Sequence, residues 1–387
     1  MKNWKTWQKR SAIAASYLLV AVIGGLLTYF AFGLRPTKLD RMYRLIENRY
    51  IGEVDMDAVE EAAAYAMVEA VGDRWSYYIP EEEYDDYLNG KDNSYVGIGI
   101  TIQARADGVG FDILATAEDG PAANAGVKPG DILIEVDGQS VAGWTTGQVS
   151  DKILGQKGTE VTVSVIRTGQ KYSFTVKRAV LKLVVAEGQM LDGNIGYVRI
   201  HNFNTDCAKE TIAAVETLVE AGAQALVFDV RNNPGGYVNE MIKVLDYLLP
   251  EGELFRSVRY TGVESVDKSD KNCVELPMAV LVNGNSYSAA EFFAAALMEY
   301  DWATVVGEPT VGKSYYQNTL SLGDGSALAL SVGKYETPNG VSLAEVGGLT
   351  PDVLVKVDED TWLQIYAGAI EPEDDPQVQA AVNALIP

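Results

Sequence analysis

Residues 278–299 read MAVLVNGNSYSAAEFFAAALME, and the character of this stretch changes at a short polar turn. The first five residues are apolar, as in a buried strand, and the alanine- and phenylalanine-rich second half favours a helix. The turn between them holds Ser286 and Ser288. Free backbone N–H groups at a helix N-terminus stabilise developing negative charge. The stretch therefore predicts a strand–turn–helix corner that presents a nucleophilic serine.

A related unit lies upstream, where residues 225–236 read ALVFDVRNNPGG. This pattern predicts a buried strand and a glycine turn, and a helix pattern follows through Leu249. Strands that alternate with helices form parallel sheets with right-handed crossovers, and ligands bind at the edge where the strands end. We therefore predict a mixed α/β core over residues 179–387. Gly235 or Gly236 would supply an oxyanion donor beside the serine turn.

Composition limits the function classes. The chain has 387 residues, 47% of them hydrophobic, and a net charge of −23. Nothing resembles a basic face, so we predict no nucleic-acid partner. Cys207 and Cys273 fit no zinc or CxxC spacing, and either two free thiols or one disulfide is compatible with them. We predict neither a metal nor a cofactor, and a homo-oligomer stays open.

The N-terminus predicts a membrane anchor. Residues 12–34 are 23 residues without a charge, enough to span a hydrocarbon core of roughly 30 Å. Lys2, Lys5, Lys9 and Arg10 precede them, which favours a cytoplasmic tail over residues 1–11. We therefore expect a single-pass protein of the cell membrane with its catalytic part outside the cytoplasm. A cleavable signal peptide is the alternative, although no clear cleavage site follows the apolar run.

Two regions separate the anchor from the core. Residues 35–94 show charged, helical periodicity, and residues 95–178 alternate with period two between glycine-rich turns. Within the second region, GPAANAGVKPGDILIEVDGQSV at 120–141 resembles the signature of a PDZ domain. The resemblance implies that a peptide adds as a strand while loop amides hold its terminal carboxylate. These amides would belong to Val96, Gly97, Ile98, Gly99 and Ile100. A β-module that only spaces other parts is the alternative.

A serine nucleophile needs a base, and the chain contains one histidine, His201. A triad would also need an acid to orient that imidazole. Lys313, in GEPTVGKSYYQ, is the stronger candidate if burial lowers its pKa towards 7 or 8. Gln317 would orient the amine, while Val311, Tyr315 and Tyr316 would dry its surroundings.

The same lysine lies in a misleading motif. GEPTVGKS at 307–314 matches the phosphate-binding pattern GxxxxGK[ST] in full. A phosphate-binding loop must open a helix, but the residues that follow alternate about Gly323-Asp324-Gly325 and predict a β-hairpin. We therefore predict no nucleotide partner.

Four motifs together resemble the carboxyl-terminal processing peptidases, which are serine peptidases with a serine–lysine dyad. They are VFDVRNNPGG, NSYSAAEF, TVGKSYYQ and YETPNGVSLAEVGGLTPDV. The resemblance implies that Ser288 is the nucleophile, Lys313 the general base and Gln317 its partner. Ala289, with Gly235 or Gly236, would form the oxyanion hole. Ser286 is a second candidate nucleophile.

The sequence thus predicts a membrane-anchored serine endopeptidase whose substrates are proteins or peptides with exposed C-termini. A catalytically silent, membrane-tethered PDZ scaffold on the same fold is the alternative.

Overall fold

The computed structural model describes residues 6–32 and 36–385. The chain divides into two compact units, and the boundary along the sequence lies between Ala70 and Val71. The first unit is helical and contains α1 (Thr6–Phe32), α2 (Lys38–Arg49) and α3 (Met56–Glu69). Asp55 caps α3 by accepting from the N–H groups of Asp57 and Ala58.

The predicted anchor at residues 12–34 overlaps α1, and residues 33–34 lie outside the described part of the chain. Over residues 6–32 and 36–385, no helix combines the length and the apolar character that a membrane crossing requires. The anchor therefore stays a prediction from the sequence.

The second unit opens with β1 (Tyr77–Ile79), α4 (Glu81–Lys91) and β2 (Ser94–Gly97). A six-stranded antiparallel sheet follows, with five strands in the order β3-β4-β5-β7-β8 and the short β6 paired to β5. Its elements are β3 (Ile100–Ala104), β4 (Phe111–Thr116), α5 (Pro121–Ala125), β5 (Ile132–Val136), β6 (Gln139–Ser140), α6 (Thr146–Ile153), β7 (Glu160–Arg167) and β8 (Gln170–Lys177). Asp137 and Gly138 both have positive φ, 49° and 75°, and form the hairpin turn between β5 and β6. The predicted small β-domain is therefore present, and β9 (Ala179–Lys182) pairs back with β2.

The core is built on a six-stranded sheet in the order β10-β11-β12-β15-β16-β19. All neighbouring pairs in it are parallel except β10 with β11, which confirms the predicted α/β core. The elements from residue 186 to residue 307 are β10 (Ala186–Leu191), β11 (Ile195–Ile200), α7 (Cys207–Glu220), β12 (Ala225–Asp229), α8 (Val238–Leu248), β13 (Gly252–Arg259), β14 (Glu264–Ser269), β15 (Met278–Val282), α9 (Ala289–Glu299) and β16 (Ala303–Gly307). Strands β12 and β15 are buried at every position, as their unbroken apolar sequence predicts.

The core also contains a second sheet, which is antiparallel. Its order is β1-β18-β13-β14, and β17 pairs with β18. The remaining elements are β17 (Tyr315–Ser321), β18 (Ala327–Glu336), α10 (Leu343–Val346), β19 (Val353–Leu354), α11 (Glu359–Ala367), a 3-10 turn (Pro372–Asp374) and α12 (Pro376–Leu385). Strands β17 and β18 are the hairpin predicted around Gly323-Asp324-Gly325. Both cysteines are free thiols, Cys207 buried and Cys273 partly buried.

Candidate active site

Ser288 lies at a strained corner between β15 and α9. Its backbone has φ 58° and ψ −127°, a conformation that is costly for a residue with a Cβ. The residue is 8% exposed. Strain at a single residue persists only where the surroundings hold it, and it is concentrated at functional sites. The corner therefore has the geometry of a nucleophile elbow.

Glu291 holds this corner and the lysine loop together. The side chain is fully buried in the first turn of α9. Its Oε2 accepts from the backbone N–H groups of Ser288 and Lys313, each at 2.8 Å. Its Oε1 accepts from the N–H of Gly312 at 2.6 Å and from the hydroxyl of Thr310. Sequence reasoning assigned Glu291 no role, although a glutamate three residues after a serine is a recognised capping signal.

The glycine turn packs directly against the serine corner. A Cβ on Gly235 would lie 2.9 Å from Ser288 Cβ and 2.8 Å from the carbonyl oxygen of Tyr287. Gly235 has φ 85° and donates its N–H to Asn233 Oδ1 at 2.8 Å. The N–H groups of Gly236 and Ala289 have no acceptor within the described ranges. Of the two glycines predicted from the sequence, Gly236 is therefore the one with an N–H left for an oxyanion.

Lys313 lies in the loop after β16, and its amine contacts two aromatic rings. Its Nζ lies 4.5 Å from the ring centroid of Trp75 and 5.8 Å from that of Tyr287. These two rings stack on each other with centroids 5.8 Å apart. Sequence analysis expected Val311, Tyr315 and Tyr316 around the amine and missed Trp75. A tryptophan more than 230 residues away carries no local signal for this contact.

The surroundings of Lys313 favour the neutral amine. Burial is the largest cause that lowers its pKa, and the positive charge of Lys91 lowers it further. The carboxylates of Asp73 and Glu291 act in the opposite direction, and the net pKa is about 8. A lysine with this pKa can accept a proton near neutral pH.

Gln317 takes another arrangement than the one predicted. Its Nε2 donates to the Ser331 hydroxyl at 2.9 Å and to the Tyr315 carbonyl at 3.1 Å. Among the described residues, its hydrogen-bond partners do not include the Lys313 amine. The Ser331 N–H donates to Ser76 Oγ at 3.0 Å, and that hydroxyl donates to Asp73 Oδ2 at 2.6 Å. Gln317 thus belongs to a chain of polar groups that reaches Asp73.

The serine, the lysine and the glycine turn line one cavity of about 800 Å³, which we call the cleft. Its lining includes Ser288, Lys313, Gln317, Gly235 and Gly236. Ala289 is buried directly after the serine. A strained serine, a lysine with a pKa near 8 and free backbone N–H groups are the parts that acyl transfer requires.

Known proteins share this arrangement of domains. The model of peptidase family S41 matches residues 194–355, and a PDZ-domain model matches residues 113–167. The carboxy-terminal processing protease CtpA of Bacillus subtilis (strain 168) is 32% identical over 340 residues, which are 84% of this chain and 72% of the relative. The chain belongs to peptidase family S41. The resemblance to carboxyl-terminal processing peptidases is confirmed, and the chain is a serine peptidase with a PDZ domain.

Two further relatives agree with this assignment. A probable CtpA-like serine protease of Staphylococcus aureus (strain COL) is 29% identical over 365 residues, covering 91% of this S41 peptidase and 73% of the relative. The solved photosystem II D1 C-terminal processing protease is 27% identical, with a TM-score of 0.50 over 84% of this chain and 87% of the other.

The structure places the competing candidates of this S41 peptidase elsewhere. His201 has a side chain 38% exposed, lies 3.2 Å from Glu187, and does not line the cavity that holds Ser288. The Ser286 hydroxyl is fully buried and donates to the Val230 carbonyl at 2.7 Å. Strand β17 begins at Tyr315, so the GEPTVGKS stretch opens a strand and offers no helix N-terminus for phosphates.

The PDZ domain of the S41 peptidase has a smaller groove, of about 140 Å³. Of the five residues predicted to bind a peptide, Ile98, Gly99 and Ile100 line it, together with Ile153 and Leu154 of the neighbouring helix region. The carbonyl of Ile98 accepts from Ala122, and that of Gly99 from Ala117, which fixes the loop.

The other two predicted residues, Val96 and Gly97, belong to β2. They pair with Val180 and Ala179 of β9, so their backbone is committed to that ladder. The structure therefore places them beside the groove and not among its lining residues.

Proposed function

We propose that this peptidase cleaves within polypeptides by a serine–lysine dyad, with Ser288 as the nucleophile and Lys313 as the general base. One observation carries the proposal. The Lys313 amine shares a cavity with the serine corner, and its pKa is lowered to about 8, mainly by burial. His201 is outside this cavity, so lysine is the base that the site offers.

The mechanism follows from these positions. Neutral Lys313 takes the hydroxyl proton of Ser288 as Oγ attacks the scissile carbonyl carbon. The N–H groups of Gly236 and Ala289 stabilise the oxyanion. The lysine ammonium then gives its proton to the leaving amine, the C–N bond breaks, and an acyl-enzyme remains. Water attacks this ester while Lys313 again accepts a proton, the ester C–O bond breaks, and Lys313 returns that proton to Ser288 Oγ.

Substrate capture through the PDZ groove is the second part of the proposal. A free C-terminal carboxylate would lie against the loop at Ile98–Ile100, and an apolar last side chain would enter the small groove beside it. The uncharged run at residues 12–34 and the basic residues before it support an N-terminal anchor, with the peptidase outside the cytoplasm.

The test compares two peptides that differ only at the C-terminus, one with a free carboxylate and one amidated. The full chain, purified in mild detergent, should cleave both, and the amidated peptide should bind about tenfold more weakly. Ser288→Ala should bind both with the same preference and cleave neither.

The outcomes separate the parts of the proposal. Equal binding of the two peptides removes the groove from C-terminal recognition. If the wild-type chain cleaves neither these peptides nor casein while binding persists, the chain is a scaffold and not a peptidase.

A further inference from the structure

The cleft carries charge of one sign only. Its basic lining residues are Arg74, Lys91 and Lys313, the last charged only when protonated, and no carboxylate is among the described residues that line it. The chain as a whole has a net charge of −23, so this cluster runs against the average composition. Charges of one sign on the walls of a concave site concentrate the field on a ligand of opposite sign.

These basic side chains contact aromatic rings but form no ion pair within the described residues. Over the described ranges, the ion pairs that form involve other basic residues, and Arg74, Lys91 and Lys313 take part in none. A half-buried ammonium without a carboxylate partner is costly to keep, because neither water nor an anion fully compensates its charge. An anionic ligand would supply the missing partner.

Lys91 is the best placed of the three to hold such a ligand. It is the last residue of α4, and its Nζ lies 5.7 Å from the ring centroids of both Tyr87 and Tyr237. Tyr237 directly follows Gly236, so Lys91 lies near the glycine turn. The Arg74 guanidinium lies 4.2 Å from the Trp75 ring, beside the base.

We propose that the catalytic cleft binds a carboxylate of the substrate close to the scissile bond, and that Lys91 is the main residue that holds it. Arg74 contributes a second positive charge. The inference rests on the proposed peptidase function, because the ligand is part of the peptide being cleaved. Either an aspartate or glutamate side chain or the terminal carboxylate of the substrate has the required chemistry.

The test uses four peptides of one parent sequence. They carry Glu or its neutral isostere Gln near the cleavage position, each with a free or an amidated C-terminus, and Glu is moved along the parent until the strongest effect is found. Dissociation constants are measured with full-length Ser288→Ala, which separates binding from turnover. We expect Glu→Gln to weaken binding about tenfold, a factor that corresponds to about 1.4 kcal/mol.

The decisive variant is Lys91→Met in the Ser288→Ala background, which keeps an unbranched stem without the charge. It should remove most of the Glu preference. Lys209→Met is the matched control, because Lys209 is exposed on α7 and outside the cleft. This control should leave the preference intact.

The effects of Lys91→Met on the Glu preference and on the response to amidation identify the source of the carboxylate. If Lys91→Met changes only the response to amidation, the terminal carboxylate is the ligand. An amidation effect that survives Lys91→Met belongs to the PDZ groove. If Lys91→Met changes neither preference, or if no peptide binds, the inference is overturned. Failure of the proposed function is distinct, since it appears as carboxylate-dependent binding without cleavage by the wild-type chain.

Discussion

Arg231 and Lys313 are two basic side chains in loops that follow parallel strands of the same sheet. Their pKa values shift in opposite directions. Arg231 is 5% exposed and donates to both Asp229 oxygens, at 2.9 and 2.6 Å, and to Asp375 at 2.7 Å. Burial alone would lower its pKa, but the charge and hydrogen bonds of Asp229 outweigh burial and raise it. Lys313 has no ion pair in the described part of the chain, and burial lowers its pKa to about 8.

The difference shows that burial by itself does not decide the charge of a basic group. Where carboxylates surround the group, the charge is fixed and the cluster becomes structural. Here the cluster ties the start of the glycine turn to α12, because Asp375 and Gln377 both bind Arg231. Where burial acts on a group without a paired carboxylate, the pKa falls and the proton becomes easier to release, which is what a general base needs.

The largest effect on activity is expected when Lys313 is made permanently charged. Lys313→Arg keeps the cation but cannot lose its proton at accessible pH, so no base remains for Ser288. We expect peptide cleavage to fall by roughly 10⁴-fold or more, since nucleophile and base act as one unit. Initial rates across pH 6–10 provide the measurement, with His201→Ala as a control that keeps most activity. Substantial activity in Lys313→Arg would show that another group is the base.

Removing the paired cation should instead affect the fold. Arg231→Met leaves Asp229 and Asp375 buried without their partner, and breaking such a cluster costs about 3–5 kcal/mol. Lys243→Met is the matched control, because its pair with Glu240 involves a lysine side chain that is 58% exposed. Lys243→Met should lower the free energy of unfolding by no more than about 1 kcal/mol. Urea denaturation gives the free energies of unfolding, and equal losses in the two variants would contradict a structural role for Arg231.

Local sequence signals were sufficient for most of the core. The apolar runs ending at Asp229 and Val282 predicted two parallel strands, and the turns after them predicted where Gly236 and Ser288 meet. The hairpin of β13 and β14 was not predicted, because neither strand alternates apolar with polar residues, and most of β14 is exposed. Strand propensity alone is a weak signal where neighbours on the sheet decide the pairing.

The chemistry of the base was only partly accessible from the sequence. Lys313 was identified by its motif, but the residues that set its pKa lie far away along the chain. Asp73, Trp75 and Lys91 come from the segment before the PDZ domain, and only the tertiary fold brings them to the cleft. The hydrogen bonds of Gln317 to Ser331 were likewise invisible, because they depend on the register of β17 with β18.

The smallest expected effects come from the distant charges that shift the pKa of Lys313. The active form of Lys313 is the neutral amine, so kcat/KM should rise with pH through a pKa of about 8 and be lost as the amine becomes protonated at lower pH.

Lys91 lowers the pKa of Lys313, so Lys91→Met should move the rising limb of the pH profile to higher pH. Asp73 raises it, so Asp73→Asn should move the limb to lower pH, and the double variant should return towards the wild type. Both shifts should shrink in high salt, since exposed charges are screened over about 10 Å at 0.1 M. Profiles of kcat/KM on a peptide without Asp or Glu and with an amidated C-terminus provide the measurement, and Lys209→Met should leave the limb in place. Shifts of the same direction in Lys91→Met and Asp73→Asn would mean that packing around the amine, and not the sign of the neighbouring charges, sets its pKa.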